Sequence, residues 1–158
     1  MEKKVKEAEI VDDTYSKTEN MNKKVELMKE FIEKQKIKGI QFLEIDNNNI
    51  FRSNLIIEGQ VLPIFIVVND SIYSFVQVQL ITVTPEKAIQ CLSYLNELNE
   101  RFTMLKYYVN RPGNITVTCS VPASDDHFEP ALLMALVDQV KSHLETNYKE
   151  IMKRVWES

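Results

Sequence analysis

Apolar residues recur every three or four positions in three stretches of the chain, a spacing typical of amphipathic helices. The first stretch runs from Met21 to Ile37, and Gly39 follows where a helix is most easily ended. The second begins at Thr84, which is followed by a proline and an acid, residues that suit a helix start. We expect its buried face to consist of Ala88, Ile89, Cys91, Leu92, Leu95, Leu98 and Phe102.

The third helical stretch is long for a chain of this size. It begins near Asp125 and Asp126 and extends toward Glu157, which would give a rod of about 48 Å at a rise of 1.5 Å per residue. A compact domain of this length has a radius of gyration of about 15 Å. We therefore expect this helix either to break near Thr146 and Asn147 or to overhang the domain and contact a partner.

Between the first two helices the pattern changes to short apolar runs separated by turn residues, which is typical of β-strands. The expected strands are Gln41–Ile45, Ile50–Ile57, Val61–Val68 and Ile72–Val83. A clean alternation over 105–110 and 115–121, divided by a turn that contains Pro112 and Gly113, predicts a further hairpin. The order α–β(3–4)–α–β–β–α predicts an α+β fold with helices against an antiparallel sheet.

Length and charge predict one domain preceded by a tail. The chain has 158 residues, close to the size of a single domain. Residues 1–19 are rich in charge and carry only a weak apolar stripe, so we expect them to form a disordered tail. Residues 20–158 are expected to form a single α+β domain.

The sequence lacks the usual signatures of catalysis, cofactor binding and metal binding. With only three glycines, it has no phosphate-binding loop and no dinucleotide fingerprint. His127 and His143 are too far apart along one helix to share a metal ion. Cys91 and Cys119 fall on faces that we expect to be buried, where a thiol is inert. We therefore expect no enzymatic activity, no cofactor and no metal.

Composition also bears on partners and compartment. The formal net charge is -4, and no basic stripe of the kind that binds nucleic acid is present. No apolar run is long enough for a membrane helix. Two cysteines make no disulfide framework, which is typical of reduced thiols in a cytoplasmic protein. We expect a cytoplasmic protein that binds neither nucleic acid nor membrane.

Two asparagines interrupt the predicted apolar face of the second helix. Asn99 falls at the centre of that face, and Asn96 flanks it. A buried carboxamide without partners would cost about 1–3 kcal/mol. We favour a structural role, in which both side chains tie the helix to neighbouring backbone. The alternative role is a polar contact with a ligand in a pocket.

The central strands carry apolar residues on both faces. The second face presents Phe65, Val67, Tyr73 and Phe75. A sheet that is apolar on both sides is expected to be covered on both sides. The cover is either the chain's own first or last helix, or a partner, which would be a second copy or a client protein. Together with Trp156, these four residues are the candidate partner-binding residues.

The arrangement of the second half of the chain resembles a known family. The segment Leu95-Asn96-Glu97-Leu98-Asn99 leads through Phe102 into a hairpin and a final amphipathic helix. This order resembles the bacterial YbjN family, whose members are described as sensory-transduction regulators and share the fold of type III secretion chaperones. The resemblance covers about residues 21–156 and implies a YbjN-like domain without an enzymatic role. Client binding, as in secretion chaperones, is implied at the level of the fold only.

We therefore expect a bacterial, non-enzymatic protein-binding module, regulatory or chaperone-like, whose partner is a client protein or a second copy in a homodimer. The alternative is a small-molecule-binding sensor domain or an enzyme with a pocket near Asn96 and Asn99.

Overall fold

The computed structural model describes residues 19–124 and 126–157, with side chains from residue 23 onward. The helices are α1 (Glu19–Lys34), α2 (Pro85–Arg101) and α3 (Pro130–Glu157). The strands are β1 (Gln41–Ile45), β2 (Asn48–Ile57), β3 (Gln60–Val68), β4 (Tyr73–Thr82), β5 (Lys106–Val109) and β6 (Asn114–Pro122). The tail expected over residues 1–19 lies outside the described residues, except that Glu19 begins α1.

The six strands form one sheet in the order β1-β2-β3-β4-β6-β5, so β1 and β5 are its edges. The two edge pairs are antiparallel, with Phe42 opposite Phe51 and Tyr107 opposite Val117. Along the chain, a helix is followed by four strands, a helix, two strands and a helix. This confirms the predicted α+β fold with an antiparallel sheet.

The chain divides into two compact units, and strands β2, β3 and β4 contribute residues to both. Within the described residues, the first unit contains α1, β1 and residues 48–53, 65–75 and 120–134. The second unit contains residues 54–64 and 76–119, which include α2 and β5, together with α3 from residue 135.

The core of the first unit is built by alternation along its strands. In β2 the side chain of Phe51 is buried while that of Arg52 is exposed, because successive strand residues point to opposite faces. In β3, Ile66, Val67 and Val68 are all buried, so both faces of the strand are covered at its end. Helix α1 adds Met28 to this core, which is fully buried.

The core of the second unit combines strand alternation with a helical stripe. Val76 and Val78 of β4 are fully buried, and the residues between and beyond them are only half-buried. The buried side chains of α3 in this unit follow helical spacing: Leu136, Val140, Leu144, Tyr148, Ile151 and Val155.

The buried face of α2 differs from the predicted one. Its buried residues are Cys91, Tyr94, Leu95 and Leu98. Ile89 and Leu92, expected inside, are 71% and 53% exposed. The predicted face left out Tyr94, which is buried one turn from Cys91 and Leu98, so the buried face is rotated toward this large ring. The helix start was predicted correctly, since the Thr84 hydroxyl accepts a hydrogen bond from the Lys87 N–H at 3.3 Å.

Helix α1 ends earlier than predicted and without using Gly39 as its cap. The residue in the left-handed conformation at the helix end is Lys36, with φ +53°. The next N–H, that of Ile37, donates to the Ile32 carbonyl at 3.0 Å, which is the hydrogen bond of a Schellman cap. Glycine is the usual residue at this position because it has no Cβ to clash there.

Helix α3 is continuous over 28 residues and begins at Pro130, a few residues later than predicted. The expected break near Thr146 and Asn147 is absent from this helix. Both side chains hydrogen-bond back along the helix, the Thr146 hydroxyl to the Ser142 carbonyl at 3.2 Å and the Asn147 amide to the His143 carbonyl at 2.9 Å. Among the described residues, no helix has both the length and the apolar character needed to cross a membrane.

The turn between β5 and β6 is tied to the end of β4. The Val83 N–H donates to the Gly113 carbonyl at 2.9 Å. Gly113 has φ +131°, and a Cβ at this position would lie 2.5 Å from the Val83 carbonyl oxygen. Only glycine permits this close approach of the two backbones.

Candidate functional site

Three aromatic residues define a surface on the first unit near the turn between β3 and β4. Phe65 lies in β3, and Tyr73 and Phe75 lie in β4. Tyr73 is 50% exposed, and Phe65 and Phe75 are half-buried. We call these three residues the aromatic strip. Strand alternation places Phe65 and Phe75 between buried neighbours, so their rings point to the second face of the sheet.

The other two candidate partner-binding residues are not members of this strip. Val67, in β3, is buried. Trp156 is 59% exposed near the end of α3 and belongs to the second unit. The predicted set therefore consists of the partly exposed aromatic strip, the buried Val67, and the exposed Trp156 of the second unit.

One cation lies at the border of the strip. The Arg52 guanidinium carbon is 5.9 Å from the centroid of the Phe65 ring, a distance at which a cation is attracted to a ring face. The rest of the strip is apolar apart from the Tyr73 hydroxyl. Such a surface suits a partner that buries aromatic area.

The turn that carries the strip is held by hydrogen bonds from several directions. Ser71 accepts from the Tyr73 N–H at 3.1 Å and donates its hydroxyl to the Tyr73 carbonyl at 2.8 Å. The Asn69 side-chain oxygen accepts from the Ser71 N–H at 3.0 Å, and the Ala123 N–H donates to the Ile72 carbonyl at 2.7 Å. The turn is therefore stiff before any partner arrives.

A buried lysine supports the same turn from within the first unit. Lys24 of α1 is only 1% exposed. Its ammonium group donates to the Ser71 carbonyl at 3.0 Å and to the Asn69 carbonyl at 3.4 Å. Lys24 is absent from the sequence-based predictions because a lysine side chain is usually solvated. A signal was present, since Lys24 lies four residues before Met28 and shares its helix face.

The two asparagines of α2 occupy different environments. Asn99 is half-buried, and its amide pairs with the backbone of Tyr107, accepting from the N–H at 2.6 Å and donating to the carbonyl at 3.0 Å. Asn96 is exposed. The Asn99 carboxamide therefore ties α2 to β5, which is the structural role expected for it.

His143 is the centre of a small polar cluster in the second unit. The Asn147 side-chain nitrogen lies 3.3 Å from Nδ1, and the Tyr107 hydroxyl contacts Nε2. An amide nitrogen can only donate, so Nδ1 accepts and Nε2 carries the proton toward the Tyr107 oxygen. The ring of Phe102 packs edge-on against the imidazole, with 4.5 Å between the centroids.

The electrostatics of this cluster favour the neutral forms of its two titratable groups. Burial lowers the pKa of the His143 imidazole, and the charge of Arg101 lowers it further. Burial likewise raises the pKa of the Tyr107 hydroxyl well above its usual range. Both groups are therefore neutral near pH 7, and both ring nitrogens of His143 are already engaged.

The remaining candidate residues form no reactive group. Cys91 and Cys119 are buried thiols that do not form a disulfide, and burial raises the pKa of Cys119, which disfavours the nucleophilic thiolate. His127 is exposed in the loop before α3. In the part of the chain that the structure describes, no three His, Cys, Asp or Glu side chains converge as metal ligands.

The comparisons with known proteins give a likeness in structure. No family model matches the sequence, and no curated protein matches it. A solved structure described as the crystal structure of the ExsC–ExsE complex matches with a TM-score of 0.53 and 14% sequence identity. The match covers 82% of this chain and 93% of the other. At this identity the likeness shows a shared fold, and the other chain belongs to a complex between two proteins.

Proposed function

We propose that this chain is a non-enzymatic, cytoplasmic protein-binding module of the YbjN and secretion-chaperone type, with a regulatory or chaperone-like role in a bacterium. The observation that carries the proposal is the aromatic strip, which presents partly exposed rings on the face of the sheet beside a hydrogen-bonded turn. The fold shared with a chain of the ExsC–ExsE complex supports it. So does the resemblance of residues 21–156 to the YbjN family.

The physical case rests on area and preorganisation. Aromatic side chains offer large apolar area for the loss of few rotamers, which makes them the usual anchors of protein interfaces. The hydrogen bonds around Ser71 and the ammonium of Lys24 hold the turn in place. A partner that binds there would lose little free energy to ordering of the strip.

The same observations favour a protein partner over other ligands. A net charge of -4 disfavours a nucleic-acid backbone. A small molecule binds best in a concave pocket, whereas the strip lies on the face of a sheet. The alternative pocket near Asn96 and Asn99 gains no support, because Asn99 is engaged with Tyr107.

We propose a second copy of the chain as one partner of the strip, with Trp156 as an additional contact. The test is light scattering of purified Phe75→Asp and Tyr73→Asp proteins beside the unchanged chain. A buried, unpaired carboxylate should weaken a dimer by about a hundredfold, because its hydration is lost without compensation.

Ile89→Asp is the matched control, since Ile89 is exposed on α2 and lies outside the strip. It should leave the dimer intact. A chain that stays monomeric at every concentration would reject self-association. A co-purifying client protein that binds both strip variants as well as the unchanged chain would reject the strip as the binding surface.

A further inference from the structure

The first unit also contains an apolar cleft that is separate from the aromatic strip. It has a volume of about 350 Å³ and lies where the end of α1 meets β1 and β2. Its floor includes Ile37, Ile40 and Phe42, which are half-buried, and the buried Phe51. This volume lies near the lower end of the range found for small-molecule pockets, and it accommodates one or two apolar side chains.

The rim of this cleft is positively charged. Lys29, Lys36 and Lys38 line it, all of them exposed, and Glu33 is the acid beside them. The Lys29 ammonium lies 4.2 Å from the centroid of the Phe42 ring and 4.0 Å from a Glu26 carboxylate oxygen. Within the described residues, Lys36 and Lys38 make no ion pair. In a chain of net charge -4, this is a local excess of positive charge.

The ordinary explanation of such lysines is that they stabilise the end of a helix. Lys34, in the last turn of α1, fits that explanation. Lys36 lies beyond the helix and occupies the left-handed cap, at φ +53°, where glycine would be less strained. Lysine at this position is therefore more strained than glycine would be, while its ammonium group lies at the rim of the cleft.

We propose that this cleft binds a peptide segment of a protein partner in which an apolar side chain is flanked by Asp or Glu residues. The apolar side chain would fill the floor, and the flanking carboxylates would meet the three lysines. Several separated ammonium groups match the several carboxylates of a peptide better than the single carboxylate of a fatty acid. The inference rests on the proposed protein-binding function and adds a second site with a defined partner chemistry.

The test measures fluorescence anisotropy of a short labelled peptide that has two leucines between glutamates. A second peptide carries glutamine in place of every glutamate. The acidic peptide should bind at least about tenfold more tightly at low salt, and the advantage should shrink as salt screens the exposed charges.

Charge reversal locates the site. The double variant Lys36→Glu/Lys38→Glu should weaken acidic-peptide binding by about tenfold or more, since it replaces attraction with repulsion at two contacts. Lys34→Glu is the matched control, because Lys34 is exposed, close in sequence and outside the cleft lining. Glu33→Gln should tighten binding about twofold, because it removes the acid at the rim.

Lys36→Gly separates binding from stability. It relieves the left-handed backbone, so Tm should rise by about 2–4 °C. Affinity for the acidic peptide should fall about two- to fivefold in the same variant, because one ammonium group is lost. A role in capping alone would predict a change in Tm without a change in affinity.

Three results would overturn the proposal. The first is that the glutamine peptide binds as tightly as the acidic one. The second is that Lys34→Glu weakens binding as much as the double variant does. The third is that decanoate displaces the peptide in all variants, which would indicate a fatty-acid site. If the acidic peptide fails to bind while the strip variants still disrupt the dimer, the cleft proposal alone is wrong. If the acidic peptide does not bind and the strip variants do not disrupt a dimer, the proposed function is wrong as well.

Discussion

In each compact unit a polar side chain ties a helix to neighbouring backbone, and these two anchors differ in charge. In the first unit, the Lys24 ammonium donates to the carbonyls of Ser71 and Asn69 at 3.0 and 3.4 Å. In the second unit, the Asn99 amide both accepts from and donates to the backbone of Tyr107, at 2.6 and 3.0 Å.

The difference in charge determines which backbone groups each side chain can bind. An ammonium group has donors only, so Lys24 suits a turn whose carbonyl oxygens converge on one point. Its desolvation is costly, and the charge-assisted hydrogen bonds offset that cost. A carboxamide has one donor side and one acceptor side, so Asn99 satisfies both backbone groups of one strand residue without burying a charge.

The largest effect is expected for Asn99→Ala. The variant leaves the N–H and the carbonyl of Tyr107 without their partner, and Tyr107 is buried. An unsatisfied buried group costs about 1–3 kcal/mol, so the free energy of unfolding should fall by about 3 kcal/mol. Urea denaturation measures this loss.

Asn99→Asp sharpens the same comparison. The carboxylate still accepts from the Tyr107 N–H but can no longer donate to its carbonyl. Asn99→Asp should therefore lower the free energy of unfolding, but by less than Asn99→Ala does. If both variants unfold at the same urea concentration as the unchanged chain, the anchor contributes nothing to stability.

A smaller effect, about 2 kcal/mol, is expected for Lys24→Met. Methionine keeps most of the side-chain volume but removes the donors to Ser71 and Asn69, while relief of the buried charge offsets part of the loss. Limited proteolysis should show earlier cleavage near residues 69–71, because the turn loses its internal support. Lys23→Met, at the exposed neighbouring position, is the control and should leave both measurements unchanged.

The smallest effect concerns pH. His143 has a lowered pKa in the folded chain, so on acidification the unfolded chain binds this proton first. Stability contributed by neutral His143 is therefore complete above about pH 6.5 and decreases as pH falls below that value. The loss should stay below ~1 kcal/mol, because the side chain is only half-buried.

Thermal unfolding between pH 7.5 and pH 5 measures this loss for the unchanged chain and for His143→Gln. The variant should lose part of the acid sensitivity. His127→Gln, at an exposed loop position, is the matched control. Equal acid sensitivity in all three proteins would mean that protonation of His143 does not oppose folding.

Most of the fold could be predicted because it depends on repeated signals. The helices show helical spacing and the strands show alternation or short apolar runs between turn residues, and the Thr84 cap is a local motif. The incorrect predictions arose where a single residue, and not the pattern of its segment, determined the local structure. Tyr94 turned the buried face of α2, Lys36 took the cap expected of Gly39, and Asn147 bonded within α3.

The candidate site could be predicted only in part. Phe65, Tyr73 and Phe75 emerged from strand alternation, which is a local property. The cleft beside α1 and the anchor made by Lys24 depend on residues that are distant in sequence and meet only through the fold. No local pattern encodes such a meeting.

The pairing of Asn99 with β5 has a consequence for how copies of this chain can meet. β5 is an edge strand, and Tyr107 directs both its N–H and its carbonyl to the Asn99 amide. Since these groups are occupied, Tyr107 does not present a free N–H and carbonyl pair to an added strand. The Asn99 side chain therefore covers part of an exposed sheet edge, where unpaired backbone groups would otherwise favour aggregation.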